Sequence, residues 1–181
     1  MSPHMRRYFG RLGIRDLVKD HFNTLYEFDR DNKSHTSWPD IVLFYAIPTG
    51  IGIFCWIRDV KLYISDVMLG GVAILTGFLF GLMLHIFSIG VKIADDPRYK
   101  SGDKLPTLVD ELRANVSYSC GIGLLVTVIL VIPVAFISPS TLEAGLNSDM
   151  AGLFSTLFTH LVLTLLMVIR RVRSAYKAMS K

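Results

Sequence analysis

The stretch VMLGGVAILTGFLFGLMLHIFSIGV, which runs from Val67 to Val91, decides the fold of this chain because it holds no Asp, Glu, Lys or Arg. A helix rises about 1.5 Å per residue and the hydrocarbon core of a bilayer is about 30 Å thick, so roughly 20 apolar residues are enough to cross it. The stretch therefore predicts a membrane-spanning α-helix.

Three further uncharged blocks surround this one in a chain that is 51% apolar, with a mean hydropathy of +0.46. Such a composition excludes an ordinary soluble domain of this size. We predict an all-α integral membrane four-helix bundle. Its parts are a cytoplasmic amphipathic segment at 1–37, a transmembrane domain at 38–169 with spans at about 41–57, 67–91, 116–137 and 150–169, and a basic cytoplasmic tail at 170–181. The first span is at the lower length limit.

The distribution of Lys and Arg predicts the orientation, because positive residues stay on the cytoplasmic side. Seventeen of the 19 bases lie before the first span, in the second loop or in the tail, and only Arg58 and Lys61 fall on the other side. We therefore expect both termini inside. The same distribution accounts for the net charge of +4 through anionic lipid headgroups, so direct nucleic-acid binding is not expected.

The segment before the first span reads as an amphipathic helix from Ile14 to Phe28, and no cleavable signal is expected. This helix either lies on the inner leaflet or offers a face to a soluble partner, and the arginines ahead of it favour the leaflet. The one sizeable inner loop follows the second span. There, Asp95, Asp96 and Pro97 read as a turn, and Thr107 with Asp110 reads as a capping box that opens the next helix.

Basic and acidic residues at the inner face are the candidates for contact with a partner or with headgroups. They are Arg6, Arg7, Arg11, Arg15, Asp95, Asp96, Arg98, Lys100, Lys104, Arg170, Arg171 and Arg173.

Small residues and helix breakers mark the spans themselves. Gly77 and Gly81 form a G-x-x-x-G pair, with Gly70 one heptad earlier, so another helix can approach this face closely. Packing within the bundle and oligomerisation explain the pattern equally well. Pro48, Gly50 and Gly52 in the first span and Pro133 in the third predict kinks or local unwinding.

Ionisable residues are nearly absent from the four blocks, which disfavours a transporter. His160 is near the middle of the fourth span, with Ser155, Thr156 and Thr164 close by, and His85 is near the inner end of the second. Either histidine could bond to a neighbouring helix or line a wet cavity. These five residues are the candidates for a pore or for a polar contact.

Motifs for catalysis, cofactor binding and metal binding are absent, so we expect a protein that is not an enzyme and holds none of these groups. Cys55 and Cys120 fall at different depths of the membrane, so both are expected to be free thiols.

Two short motifs carry a resemblance to a known family. Ser37 to Phe44 reads SWPDIVLF after the amphipathic helix, and Leu108 to Leu112, LVDEL, runs into Asn115 to Tyr118, NVSY. With the four-span layout, this resembles small membrane proteins of bacterial defence islands, and among these the membrane subunits of Kiwa anti-phage systems. The resemblance implies a bacterial inner-membrane protein that acts with a cytosolic effector that binds DNA.

Two hypotheses follow for function. The first is a membrane scaffold and sensor that forms a homo-oligomer in the bilayer and holds or releases a cytosolic effector at its inner face. The second is an oligomeric pore-forming effector that collapses the membrane gradient on activation, suggested by His160 with its hydroxyl neighbours and by the kinked spans. An assembly factor for another membrane complex is a third alternative.

Overall fold

The computed structural model describes residues 13–24, 26–28, 34–36, 42–99, 103–138, 140, 143 and 145–179. Helix α1 is Ile14–Asn23, and a short antiparallel pair of strands follows, β1 (Tyr26–Phe28) and β2 (Ser34–Thr36). A π-helical turn, Val42–Ala46, leads into α2 (Ile47–Ile57). The remaining helices are α3 (Asp66–Ala94), α4 (Lys104–Phe136) and α5 (Ser148–Met179).

Three of these helices, α3, α4 and α5, are long and apolar enough to cross a membrane, so the all-helical fold is compatible with a membrane helical bundle. The first predicted span forms a shorter apolar element, Val42–Ile57. Its five residues of π-helical turn and 11 residues of α-helix rise about 24 Å, less than the hydrocarbon thickness. That this element also crosses the bilayer, and which way the bundle faces, stay predictions.

The bundle has two distinct ends. At one end, α1 and the last turns of α5 contact α4 and each other, and we call this the α1 end. The α3–α4 loop, of which residues 95–99 and 103 are described, precedes α4 at the same end. At the opposite end, an isolated β-bridge between Leu62 and Leu146 ties the α2–α3 loop to the α4–α5 loop. Neighbouring helices pack in the order α3, α4, α5, α2, and α1 packs against α4.

The predicted element boundaries at the α1 end need correction. Helix α1 ends at Asn23, so the prediction of a helix as far as Phe28 is wrong: the N–H of Thr24 bonds to the His21 carbonyl and closes the last turn. The predicted capping box is also wrong. Helix α4 begins one turn earlier with Asp103 as N-cap, and Thr107 instead donates its hydroxyl to the Asp103 carbonyl. Helices α4 and α5 both continue well past their apolar blocks at this end.

Helices α2 and α5 cross in backbone contact. A Cβ built on Gly52 would lie 2.8 Å from the Gly152 carbonyl oxygen, and one built on Gly152 would lie 2.9 Å from the Gly52 oxygen. Only glycine fits at either position. The sequence analysis placed Gly52 among the helix breakers and did not single out Gly152, whereas the two form the closest approach of these helices.

The core lies along α4. Fully buried side chains of α4 meet α3 and α5 on two levels, with Val116 and Leu161 in one cluster and Val126 and Leu130 in the other. The outward surface is strongly apolar, as lipid contact requires: Val67 is 85% exposed and Ile74 is 76% exposed. Both cysteines are free, as predicted.

Candidate functional site

The most unusual feature of the bundle is a buried polar cluster at the α1 end, where the last turn of α1 meets α4. His21 and Asn115 are both fully buried, and His21 Nδ1 lies 2.8 Å from Asn115 Oδ1. The Thr24 hydroxyl lies 2.9 Å from the same oxygen and 2.7 Å from the His21 carbonyl, so its single proton is shared between these two acceptors. Two side chains of α1 therefore share one acceptor on α4.

The Asn115 amide sets the tautomer of His21. Its Nδ2 donates to the Glu111 carbonyl at 2.8 Å, so Oδ1 is the acceptor that faces α1. His21 must then carry its proton on Nδ1, and Nε2 is left with a lone pair. That Nε2 atom is buried and has no hydrogen-bond partner among the described residues. Burial is the main reason that the pKa of His21 is lowered to about 4, so the ring is neutral at pH 7.

An ion pair closes the cluster towards the end of the bundle. Arg171 of α5 pairs with Glu111 of α4, and its Nη2 also donates to the Thr24 carbonyl over 2.5 Å. That carbonyl is at the C-terminus of α1, where the helix dipole favours a cation. The Arg171 side chain is only 15% exposed. A residue predicted to contact headgroups or a partner therefore turns inward and holds α1.

His160 joins the same cluster from the fourth span. Its Nδ1 donates to the Phe44 carbonyl at 2.8 Å, and its Nε2 accepts the Tyr118 hydroxyl at 2.9 Å. Pro48 explains why that carbonyl needs a partner. Proline has no N–H, so the carbonyl four residues earlier loses its helical donor, and a buried acceptor left unpaired is costly. His160 thus supplies the hydrogen bond that Pro48 cannot, although nothing in the sequence alone connects these two residues.

Ring contacts connect the two halves of the cluster. His21 stacks on Tyr118 with ring centroids 3.9 Å apart and an interplanar angle of 4°, and His160 stands edge-on to Tyr118 at 5.6 Å. Phe22 of α1 stacks on Tyr45 at 5.3 Å. Helix α1 thus packs against α4, next to the π-helical turn that precedes α2, and its buried face contacts the bundle itself.

Most residues of this cluster were not predicted from the sequence. Asn115 and Tyr118 were noted only as part of the family resemblance, and His21 was not noted because it falls within the amphipathic pattern. One signal was available: Asn115 and Ser119 are polar residues one turn apart on an otherwise apolar face of α4. Such residues need partners when buried, but the sequence does not say which ones.

The other predicted polar residues of the spans are not part of this cluster, and two of them form hydrogen bonds within their own helix. Thr164 is fully buried and donates to the His160 carbonyl, and Thr156 donates to the Gly152 carbonyl. Ser155 lies 3.6 Å from the Cys55 sulfur. His85, by contrast, is exposed on α3 and takes no part in the cluster.

The glycines of α3 point away from the bundle. A Cβ built on Gly70, Gly77 or Gly81 would meet nothing within 4 Å, whereas one on Gly123 of α4 would lie 3.0 Å from the Thr76 hydroxyl. At about 100° per residue, the three α3 glycines fall within about 20° of one line, opposite the core residue Leu79. Packing inside the described part of the chain therefore does not use them.

The remaining described candidates lie in the α3–α4 loop and at the exposed surfaces of α1, α4 and α5. Asp96 holds Arg98 through several hydrogen bonds, the shortest at 2.6 Å, and the pKa of Asp96 is lowered by these bonds. Asp95, Arg15, Arg170 and Arg173 are exposed. Lys104 is the first residue of α4, while Arg6, Arg7, Arg11 and Lys100 lie outside the described residues.

A cleft of about 300 Å³ opens between the end of α3 and the start of α4. Its lining is mostly apolar, with one carboxylate, and consists of Gly90, Ile93, Ala94, Tyr99, Pro106, Val109 and Asp110.

Among the residues that the structure describes, no group of three His, Cys, Asp or Glu side chains is placed to hold a metal ion. Comparison of the chain with protein-family models, curated proteins and solved structures finds no match.

Proposed function

We propose that this protein is a four-span scaffold and sensor subunit of the bacterial inner membrane, with both termini in the cytoplasm. In this proposal it forms a homo-oligomer and recruits or regulates a cytosolic DNA-binding effector in anti-phage defence, without catalysis of its own. The defence role and the effector rest on the family resemblance of the two sequence motifs.

One observation carries the proposal. Helix α1 and the end of α5 meet on α4, where buried contacts of His21, Asn115 and Arg171 hold α1 in place, and the α3–α4 loop leads into α4 at the same end of the bundle. In sequence, 17 of the 19 bases fall before the first span, in the second loop or in the tail, the regions to which these segments belong. An assembled surface of this kind suits a soluble partner better than a set of short connecting loops does. The cleft beside Tyr99 and Asp110 adds a depression in which a partner side chain can bind.

The open glycine face supports oligomerisation. Gly70, Gly77 and Gly81 leave room for close approach of a helix, and nothing in the described chain fills that room. We expect Gly81→Leu to break the oligomer on native gels. Ala135→Leu, a similar enlargement on the exposed surface of α4, is the control and should leave the oligomer intact. An unchanged oligomer in Gly81→Leu would contradict this interface.

The pore alternative receives less support from the geometry. It depended on His160, Thr156 and Thr164, and each of these makes hydrogen bonds inside the bundle. A pore would need these groups turned toward water. Ion flux through liposomes that contain the purified protein tests the alternative directly.

The experiment that tests the proposed function is affinity purification of the protein from its native host in mild detergent, with mass spectrometry of co-purifying proteins. We expect a stoichiometric soluble protein that is lost when residues 95–104 are replaced by a neutral linker. The matched control replaces residues 138–147, at the opposite end, and should retain the partner. A lone homo-oligomer that makes liposomes leaky would overturn the scaffold proposal in favour of the pore.

A further inference from the structure

Hydrogen bonds between polar groups hold α1 at its binding site on α4 and α5, which is unusual for a short amphipathic helix. Three hydrogen bonds connect the last turn of α1 to just two residues, Asn115 and Arg171. Apolar contacts add to these bonds: Leu17 approaches α4 where Gly121 leaves room, and Phe22 stacks on Tyr45 while it stays 40% exposed. Loss of these polar bonds should therefore weaken the docking of α1.

The protonation state of His21 matters at its other ring nitrogen, Nε2, because Nδ1 keeps its proton and its bond to Asn115 in both states. The ring donates from Nδ1 to Asn115, so a second proton would go to Nε2. That nitrogen is fully enclosed and has no acceptor among the described residues. An N–H without an acceptor, on a ring with a full positive charge, is strongly disfavoured in such a place.

The neighbours of His21 do not relieve that charge. Helix α4 presents the Tyr118 ring, and Glu111 of the same helix is already paired with Arg171. Helix α5 presents Arg171 and His160, both of which disfavour a positive His21. The π-helical turn before α2 presents Tyr45, which stacks on Phe22. On α1 itself, Asp16, Lys19 and Asp20 are exposed and point away from the binding site.

We propose that α1 is a releasable strap, which stays docked on α4 and α5 while His21 is neutral and leaves its binding site when His21 takes up a second proton. Release uncovers Asn115, Tyr118 and Arg171 and changes the surface at the α1 end, whatever partner binds there. This device does not depend on the identity of the effector or on the proposed function.

The sign of the pH dependence follows from the two states. A released histidine titrates near its ordinary pKa of 6.5, whereas the docked one titrates at about 4. Docking is therefore fully favoured above pH 6.5 and weakens as the pH falls from 6.5 to 4, because only the released state binds the proton there. Relative to pH 7.5, the docking constant should fall about tenfold at pH 5.5 and about seventyfold at pH 4.5.

The test uses the full chain in lipid nanodiscs, with spin labels on Lys19→Cys of α1 and Arg113→Cys of α4, both exposed positions, after Cys55 and Cys120 are replaced by alanine. Pulsed electron paramagnetic resonance should give one narrow distance at pH 7.5 and a second, broader population that grows toward pH 4.5. An unchanged distribution across this range would overturn the proposal.

Three variants separate the strap from a general effect of acid. His21→Gln keeps a donor for Asn115 but does not titrate, so its distance should not respond to pH. His85→Gln removes the exposed histidine of α3 and should respond as the parent does. Thr24→Val removes one bond to Asn115 and should raise the released fraction at every pH while keeping the response.

If His21→Gln and the parent release α1 in parallel, the proposal is wrong. If His21→Gln is already released at pH 7.5, Thr24→Val decides: a transition between pH 6.5 and 4 supports the strap, and a distribution independent of pH overturns it.

Discussion

The bond between His160 and the Phe44 carbonyl gives the sharpest prediction, because it depends on the missing N–H of Pro48. His160→Phe keeps a ring in the buried site but removes both hydrogen bonds, leaving the Phe44 carbonyl and the Tyr118 hydroxyl without their partner. Each buried polar group left unpaired costs about 1–3 kcal/mol in a protein interior, and hydrogen bonds between membrane helices are worth about 0.6–1.7 kcal/mol. We expect His160→Phe to lower the free energy of unfolding by about 2–4 kcal/mol.

A second change should then partly rescue the first. Pro48→Ala restores an N–H that can donate to the Phe44 carbonyl within the helix, and by itself it should cost about 1 kcal/mol or less, for the small cavity. In the double variant the carbonyl no longer needs the histidine. We therefore expect a favourable coupling of about 1 kcal/mol between the two substitutions.

The assay is equilibrium unfolding of the four proteins in detergent micelles, followed by circular dichroism, with melting temperatures as a second readout. For a chain of this size, 1 kcal/mol shifts the melting temperature by about 2–4 °C. Thr164→Val is the matched control, since its hydroxyl only returns to the carbonyl of its own helix and should cost little. Strictly additive effects of His160→Phe and Pro48→Ala would refute the account of why His160 is bonded there.

The remaining predictions concern the other contacts that hold the helices together. Gly152→Val should separate α2 from α5 and destabilise the bundle by about 1–3 kcal/mol, since its Cβ would press on the Gly52 carbonyl; Gly50→Ala, in open space, should be tolerated in the same melts, and equal losses would argue against the crossing. Arg171→Met should leave the Glu111 carboxylate and the Thr24 carbonyl without their cation and loosen α1. Faster proteolysis within residues 13–24 would report that loosening, and a digestion pattern like that of the parent chain would count against the clamp.

The apolar blocks predicted the helices well, for a physical reason. In hydrocarbon every backbone N–H and C=O must be bonded within the chain, so a long uncharged block such as Val67 to Val91 has little choice except a helix. Helix ends outside the blocks were harder to predict. Thr107 and Asp110 matched a capping pattern, but the helix found an earlier N-cap at Asp103, since local signals compete where no membrane enforces the choice.

Individual side chains of the candidate site were only half predicted. His160 was noted as a polar residue in need of a partner, and the structure supplies that partner from a helix more than 100 residues away in sequence. Gly77 and Gly81 were assigned to packing in general, and their open surroundings were decided by which side of α3 faces α4. Arg171 looked like every other base of the tail.

The membrane-spanning helices could be predicted from hydropathy and block length alone. Both properties act locally, and a backbone in hydrocarbon can satisfy its hydrogen bonds within one segment only as a helix. Only the tertiary structure decided that α1 is part of the bundle. The roles of His21, Asn115, Thr24 and Arg171 arise only when α1, α4 and α5 come together. The burial that leaves Nε2 of His21 without a hydrogen-bond partner among the described residues results from that contact and not from any single segment.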